Sequence, residues 1–128
     1  EVIGVMPTFL VDREVAHHGL TELRVVESMH ERKAVMSELS DGVVALPGGL
    51  GTLDELFEAL TWAQLGLHRK PCGLLNTAGY FDRLLGFLDH VADQQFVSAG
   101  HRAMLVCEDD ADTLLDCLGR QMGQTPEQ

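Results

Sequence analysis

The stretch richest in chemical potential is Pro47-Gly48-Gly49-Leu50-Gly51-Thr52-Leu53-Asp54-Glu55, set between an apolar run and an amphipathic segment. Its glycines let the backbone turn sharply and approach a ligand closely. The free N–H groups and positive dipole end of a following helix attract an anion, so a phosphate fits there. The plainer reading is a strand-to-helix turn with Thr52 as N-cap and Glu55 closing a Thr-x-x-Glu capping box. A simple turn rarely needs so many glycines in so few positions, which favours the phosphate. No GxGxxG can be drawn through the stretch and no Lys follows its last glycine, so it is neither the dinucleotide fingerprint nor a Walker loop.

A second stretch, Glu27-Ser28-Met29-His30-Glu31-Arg32-Lys33-Ala34-Val35-Met36, carries another capping-box pattern in Ser28 and Glu31. A helix beginning here places Met29, Arg32, Lys33 and Met36 along one side. Two cations near a helix N-terminus oppose its dipole by roughly 0.3–1 kcal/mol, which points to a compensating anion. Without the glycine loop, two solvated bases or an ion pair with Glu31 would be the default. A phosphate at the start of the helix that follows this loop is repelled by Asp54 and Glu55, and Arg32 relieves that conflict if it reaches the site. An arginine and a carboxylate around a ribose suit glycosidic cleavage, where the anomeric carbon becomes oxocarbenium-like and a water must be activated.

These residues need elements to hold them. Apolar or β-branched runs at Val2–Met6, Leu23–Val26, Gly42–Leu46, Cys72–Asn76 and Ala103–Cys107 predict strands. Helical spacing runs from Met29 to Leu39, Leu53 to Leu65, Tyr80 to about Phe96, and Ala111 to about Met122. Strand and helix alternate, which predicts an α/β fold with a mostly parallel sheet and helices on both faces. The Gly42–Leu46 run is apolar on both faces, as a central strand should be. Residues 7–19 read as a surface loop with a helical turn. Residues 1–118 are expected to form a single domain and residues 119–128 a flexible tail.

Composition excludes several functions. Nine Lys and Arg against twenty Asp and Glu leave a net charge of −11, which repels a nucleic-acid polymer. Cys72, Cys107 and Cys117 are odd in number and lack CxxC spacing, so reduced, buried thiols are expected. The adjacent His17 and His18 would point oppositely on a strand, and no HExxH occurs, so neither a metal nor a cofactor is expected. No apolar run approaches the roughly 20 residues of a membrane span and no basic-then-apolar leader opens the chain, so a soluble, cytoplasmic protein is expected.

Met29-His30-Glu31-Arg32-Lys33, followed after a helix and a strand by Pro-Gly-Gly-Leu-Gly-Thr-Leu-Asp-Glu, resembles the paired signatures of the LONELY GUY family. Flanking text agrees at Leu20-Thr21-Glu22-Leu23, and from Thr61-Trp62-Ala63-Gln64 through Lys70-Pro71. The resemblance covers nearly the whole chain. It implies a Rossmann-like, doubly wound domain that hydrolyses N6-substituted adenosine 5'-monophosphates, and AMP as well, to free base and ribose 5-phosphate. The catalytic roles then fall on Arg32 and Glu55, with Gly48, Gly49, Gly51 and Thr52 on the phosphate and Met29 and Lys33 as further substrate contacts. Some relatives have been labelled lysine decarboxylases, but no stretch of this chain resembles a pyridoxal phosphate site.

The resemblance also implies a homodimer or larger assembly around the helix carrying Leu53, Leu56, Phe57 and Leu60, whose Ala59, Trp62 and Ala63 widen its apolar surface. A helix covered by its own chain is the alternative. Glu58 and His68 read as surface residues. Family members usually begin with a further strand, a glycine- and serine-containing loop and helices, whereas this chain opens on a strand-like run without an initiator Met. A fragment that self-associates and has little activity alone is therefore expected. The rival function is a nucleotide- or cofactor-binding carrier, which needs the phosphate cradle but not a carboxylate beside the sugar.

Overall fold

The computed structural model describes residues 1–11 and 19–123. Two compact units divide it, Glu1–Ser40 and Asp41–Gln128. His17-His18 and residues 12–18 of the expected surface loop lie outside the described residues, as do positions 124–128 of the expected tail.

In the first unit, strands β1 (Ile3–Pro7) and β2 (Glu22–Val26) pair in parallel, with Ile3 opposite Glu22 and Pro7 opposite Val26. Val5, Pro7 and Val26 are buried. Proline has no N–H to give to a ladder, so Pro7 suits the end of a strand. Helix α1 (Thr8–Val11) follows, tied back by the Thr8 hydroxyl donating to the Val26 carbonyl at 3.0 Å. Helix α2 (Met29–Leu39) spans the residues its periodicity predicts.

The second unit holds three parallel strands in the order β3 (Val43–Ala45), β4 (Cys72–Leu75), β5 (Leu105–Glu108). Alternation along the strands separates two faces. Val43, Ala45, Cys72, Leu74, Leu105 and Cys107 belong to the main core, with Leu56 of helix α3 (Leu50–Gln64) and Phe81 ahead of helix α4 (Asp82–Asp93). Gly73 faces the opposite way, where Leu114 and Leu118 of helix α6 (Ala111–Gly123) press against the strand. A Cβ on Gly73 would stand 2.8 Å from the Leu114 side chain. Helices thus cover both faces, as a doubly wound sheet requires. Within this unit β4 is the middle strand, buried on both faces at Cys72, Gly73 and Leu74.

Every strand pairing among the described residues is parallel, and helix intervenes between successive strands. The α/β, Rossmann-like architecture expected from the alternation is what the chain adopts. Boundaries move where local chemistry intervenes. The segment expected to be helical from Tyr80 begins at Asp82, after a short 3-10 turn (Thr77–Gly79) in which Ala78 and Gly79 take positive φ of 53° and 72°. It ends at Asp93 because Gln95 also turns left-handed, at φ 67°. Ala103 caps helix α5 (Ala99–Arg102), so β5 begins two residues later than its apolar run suggests. Helix α6 continues to Gly123, through the first residues of the expected tail. No helix among the described residues is long and apolar enough to cross a membrane.

Candidate active site

The glycine turn leaves the carboxyl end of β3, and α3 starts at Leu50 rather than at Leu53. Gly49 is the N-cap and makes no side-chain capping hydrogen bond. The Leu53 N–H already donates to the Gly49 carbonyl at 3.2 Å, closing the first turn three residues early. Thr52 is therefore inside the helix and is not its N-cap, and the Thr52 to Glu55 capping box does not form. Instead the Thr52 side chain folds back over Gly48, where its hydroxyl fills the space a Cβ would take.

This start has an electrostatic consequence. The first N–H groups of a helix have no partner within the helix, and here the N-cap, Gly49, has no side chain to offer them. Among the described residues, a Cβ on Gly49 or on Gly51 would meet nothing within 4 Å. The positive end of a helix of 15 residues lies at these glycines.

Glu55 lies in the second turn of α3, half-buried, beside the fully buried Leu56 and the exposed Asp54. Side chains on a helix lean toward its N-terminus. Gly49 lies about 9 Å back along the axis from Glu55, at 1.5 Å per residue. Glu58 is half-buried one turn further on.

The sequence reading missed Tyr80. Its hydroxyl donates to the Gly48 carbonyl at 2.6 Å. β3 and β4 are parallel neighbours, with Ala45 opposite Leu74, so the loops that follow them leave from the same edge of the sheet. Asn76 organises the second loop: its Oδ1 accepts from the Phe81 N–H at 2.7 Å, and its Nδ2 donates to Asp82 at 2.8 Å. Phe81 is 2% exposed and meets the Tyr80 ring edge-on, with centroids 4.9 Å apart. The available signal was the sole tyrosine of the chain, standing after an Asn-Thr-Ala-Gly turn at the carboxyl end of a strand.

In the first unit, the Ser28 hydroxyl caps α2 by accepting from the Glu31 N–H at 3.1 Å. The Glu31 carboxylate reaches back to the N–H of Glu27 at 3.0 Å, one residue before the usual partner in a capping box. Met29, Arg32 and Lys33 lie in the opening turns, all half-buried. The Arg32 Nε is buried and has no hydrogen-bond partner among the described residues. Leaving a buried donor unmatched costs about 1–3 kcal/mol, more for a charged group. Lys33, by contrast, is engaged within the protein.

His68, expected at the surface, is half-buried between α3 and β4. Burial first, and then the nearby Lys70 charge, hold its pKa below the usual value, and its Nδ1 accepts from the Lys70 N–H at 3.1 Å. Cys72 is buried as expected, while Cys107 and Cys117 are only half-buried.

A family model described as "possible lysine decarboxylase" matches residues 1–118. The chain belongs to this family, which is the LONELY GUY family. The chain is 53% identical over 110 residues to a cytokinin riboside 5'-monophosphate phosphoribohydrolase of Rhodococcoides fascians, covering 84% of this chain and 56% of the relative. A probable enzyme of the same name from Oryza sativa subsp. japonica is 52% identical over 114 residues, covering 89% of this chain and 50% of that protein. An Arabidopsis thaliana protein of that name is 47% identical over 114 residues, 89% of this chain and 52% of the relative. This LONELY GUY chain thus spans about half the length of the curated relatives it matches.

Proposed function

We propose that the gene product carrying this chain hydrolyses the N-glycosidic bond of cytokinin riboside 5'-monophosphates, that is, N6-substituted adenosine 5'-monophosphates, and of AMP. The water oxygen bonds to the anomeric carbon, the bond to the purine nitrogen breaks, and a proton ends on the departing base. Free base and ribose 5-phosphate result. The observation that carries this reading is the glycine-lined start of α3, whose N-cap Gly49 has no side chain to offer, with Glu55 half-buried in the second turn of the same helix.

Gly48, Gly49, Gly51 and Thr52 take the phosphate, largely through backbone N–H groups and the helix dipole. Glu55 acts on the ribose or on the attacking water. Arg32 positions substrate and stabilises developing charge, in keeping with a buried Nε that has no hydrogen-bond partner among the described residues. Met29 and Lys33 are further substrate contacts. No cofactor or metal enters this scheme, and the protein works in the cytoplasm.

Incubating the gene product with isopentenyl-AMP or AMP and chromatographing the mixture tests the proposal. Free base is expected; nucleotide that stays bound and intact would mark a carrier instead. Self-association belongs to the same proposal. The far side of α3 and its exit expose Leu50 (86%), Trp62 (43%), Leu65 (67%) and Leu67 (66%), an apolar surface suited to a second copy. Trp62→Lys should shift the size-exclusion peak of the wild-type dimer to the monomer, whereas an unchanged peak places the interface elsewhere.

A further inference from the structure

A peptide flanked by two glycines is free to flip, because no Cβ on either side resists the change. The peptide joining Gly48 to Gly49 is of this kind, and it stands immediately before α3. Its carbonyl is the group that accepts the Tyr80 hydroxyl at 2.6 Å, a length at the short end of O–H···O hydrogen bonds. In a planar trans peptide the carbonyl and the N–H point in opposite directions. Fixing the Gly48 carbonyl therefore fixes the Gly49 N–H.

We infer that Tyr80 is a positioning residue, a latch that selects one orientation of the Gly48–Gly49 peptide and so aims the Gly49 N–H at the phosphate of a 5'-monophosphate. The inference rests on the phosphate reading given above and deepens it.

The latch is itself firmly mounted. The Tyr80 N–H donates to the Thr77 carbonyl at 3.0 Å, closing the 3-10 turn. Its neighbour Phe81 is sunk in the core, and Asn76 ties the Phe81 N–H and Asp82 together across the turn. Gly79, at φ 72°, lets the chain turn back closely enough that a Cβ there would lie 2.6 Å from the Asp82 carboxylate. The tyrosine ring itself is 55% exposed, so its hydroxyl is not required to satisfy a buried group or to fill the core. What it does in this structure is hold a glycine carbonyl at the mouth of the anion site.

Tyr80→Phe keeps the ring and its edge contact with Phe81 and removes only the hydroxyl. In the gene product carrying the chain, the variant should melt within a few degrees of the wild type. It should bind ribose 5-phosphate about tenfold more weakly, equivalent to roughly 1.4 kcal/mol. KM for AMP should rise and kcat should fall with it, because the grip orients the reacting bond, while the affinity for adenosine, which lacks the phosphate, should stay as it was. Amide chemical shifts provide the control. If ribose 5-phosphate moves the Gly49, Gly51 and Thr52 amides of the wild type and the variant binds it equally well, the latch is wrong while the phosphate site stands. If those amides do not respond in the wild type, the phosphate reading fails and the latch with it.

Discussion

The Thr52 hydroxyl occupies the position that a Cβ on Gly48 would need. That contact separates the glycines of the turn by role. Gly48 is required by the fold, whereas a Cβ on Gly49 or Gly51 would meet no described residue within 4 Å. Gly48→Ala must push Thr52 aside and is expected to cost about 1–3 kcal/mol of stability, measured by urea denaturation. Gly51→Ala, within the first turn of α3, should stabilise by about 0.4–1 kcal/mol, and yet weaken ribose 5-phosphate binding measured by calorimetry. Undiminished affinity in Gly51→Ala would remove that position from the anion site.

Glu55→Gln should abolish base release while leaving the fold in place. The amide is isosteric, and α3 is started by Gly49, without a Thr52 to Glu55 capping box to lose. A carboxylate acting as acid, base or charge stabiliser contributes about 10²–10⁴-fold. The turnover of isopentenyl-AMP should fall by at least that lower factor, with circular dichroism unchanged. Wild-type turnover by the variant would take Glu55 out of the mechanism.

The thiol of Cys72 gives the chain a sensitivity to alkali. Burial raises its pKa from an ordinary 9.0 to about 11. The folded state thus favours the protonated thiol. The resulting stabilisation is complete below pH 9.0 and is lost as pH rises through about 11. Under reducing conditions the urea midpoint of the wild type should fall more steeply across that window than that of Cys72→Ala. Parallel curves would mean that another group governs the alkaline limit.

Alternation of strand and helix is legible in the sequence because each element carries its own period. The Ser28 cap and the full length of α2 are legible for the same local reason, a serine followed by a glutamate ahead of a helical run. The start of α3 is not. Thr52 and Glu55 form a good capping pattern by type, but the Leu53 to Gly49 backbone hydrogen bond closes a turn earlier, and only in the folded chain does Thr52 come to lie over Gly48. Tyr80 is hidden for a different reason: it lies 32 residues from Gly48, and the pairing of β3 with β4 brings the two loops to one edge. The glycine turn reads as a phosphate site from residue type alone. The clearance around Gly49 and Gly51 among the described residues, and the hydroxyl latch on Gly48, are properties of the folded chain.

On the function proposed above, the glycine-lined start of α3 holds a 5'-phosphate and this grip is used to cleave the glycosidic bond. Binding energy from a remote group can orient the reacting bond, so a substrate without that group should lose turnover as well as affinity. Rates of base release from isopentenyl-AMP and from isopentenyladenosine, measured side by side with the gene product carrying this chain, test it most directly. The nucleotide should yield free base and ribose 5-phosphate in equal amounts while the nucleoside is left essentially intact; equal rates for the two would contradict a phosphate role for Gly48 through Thr52.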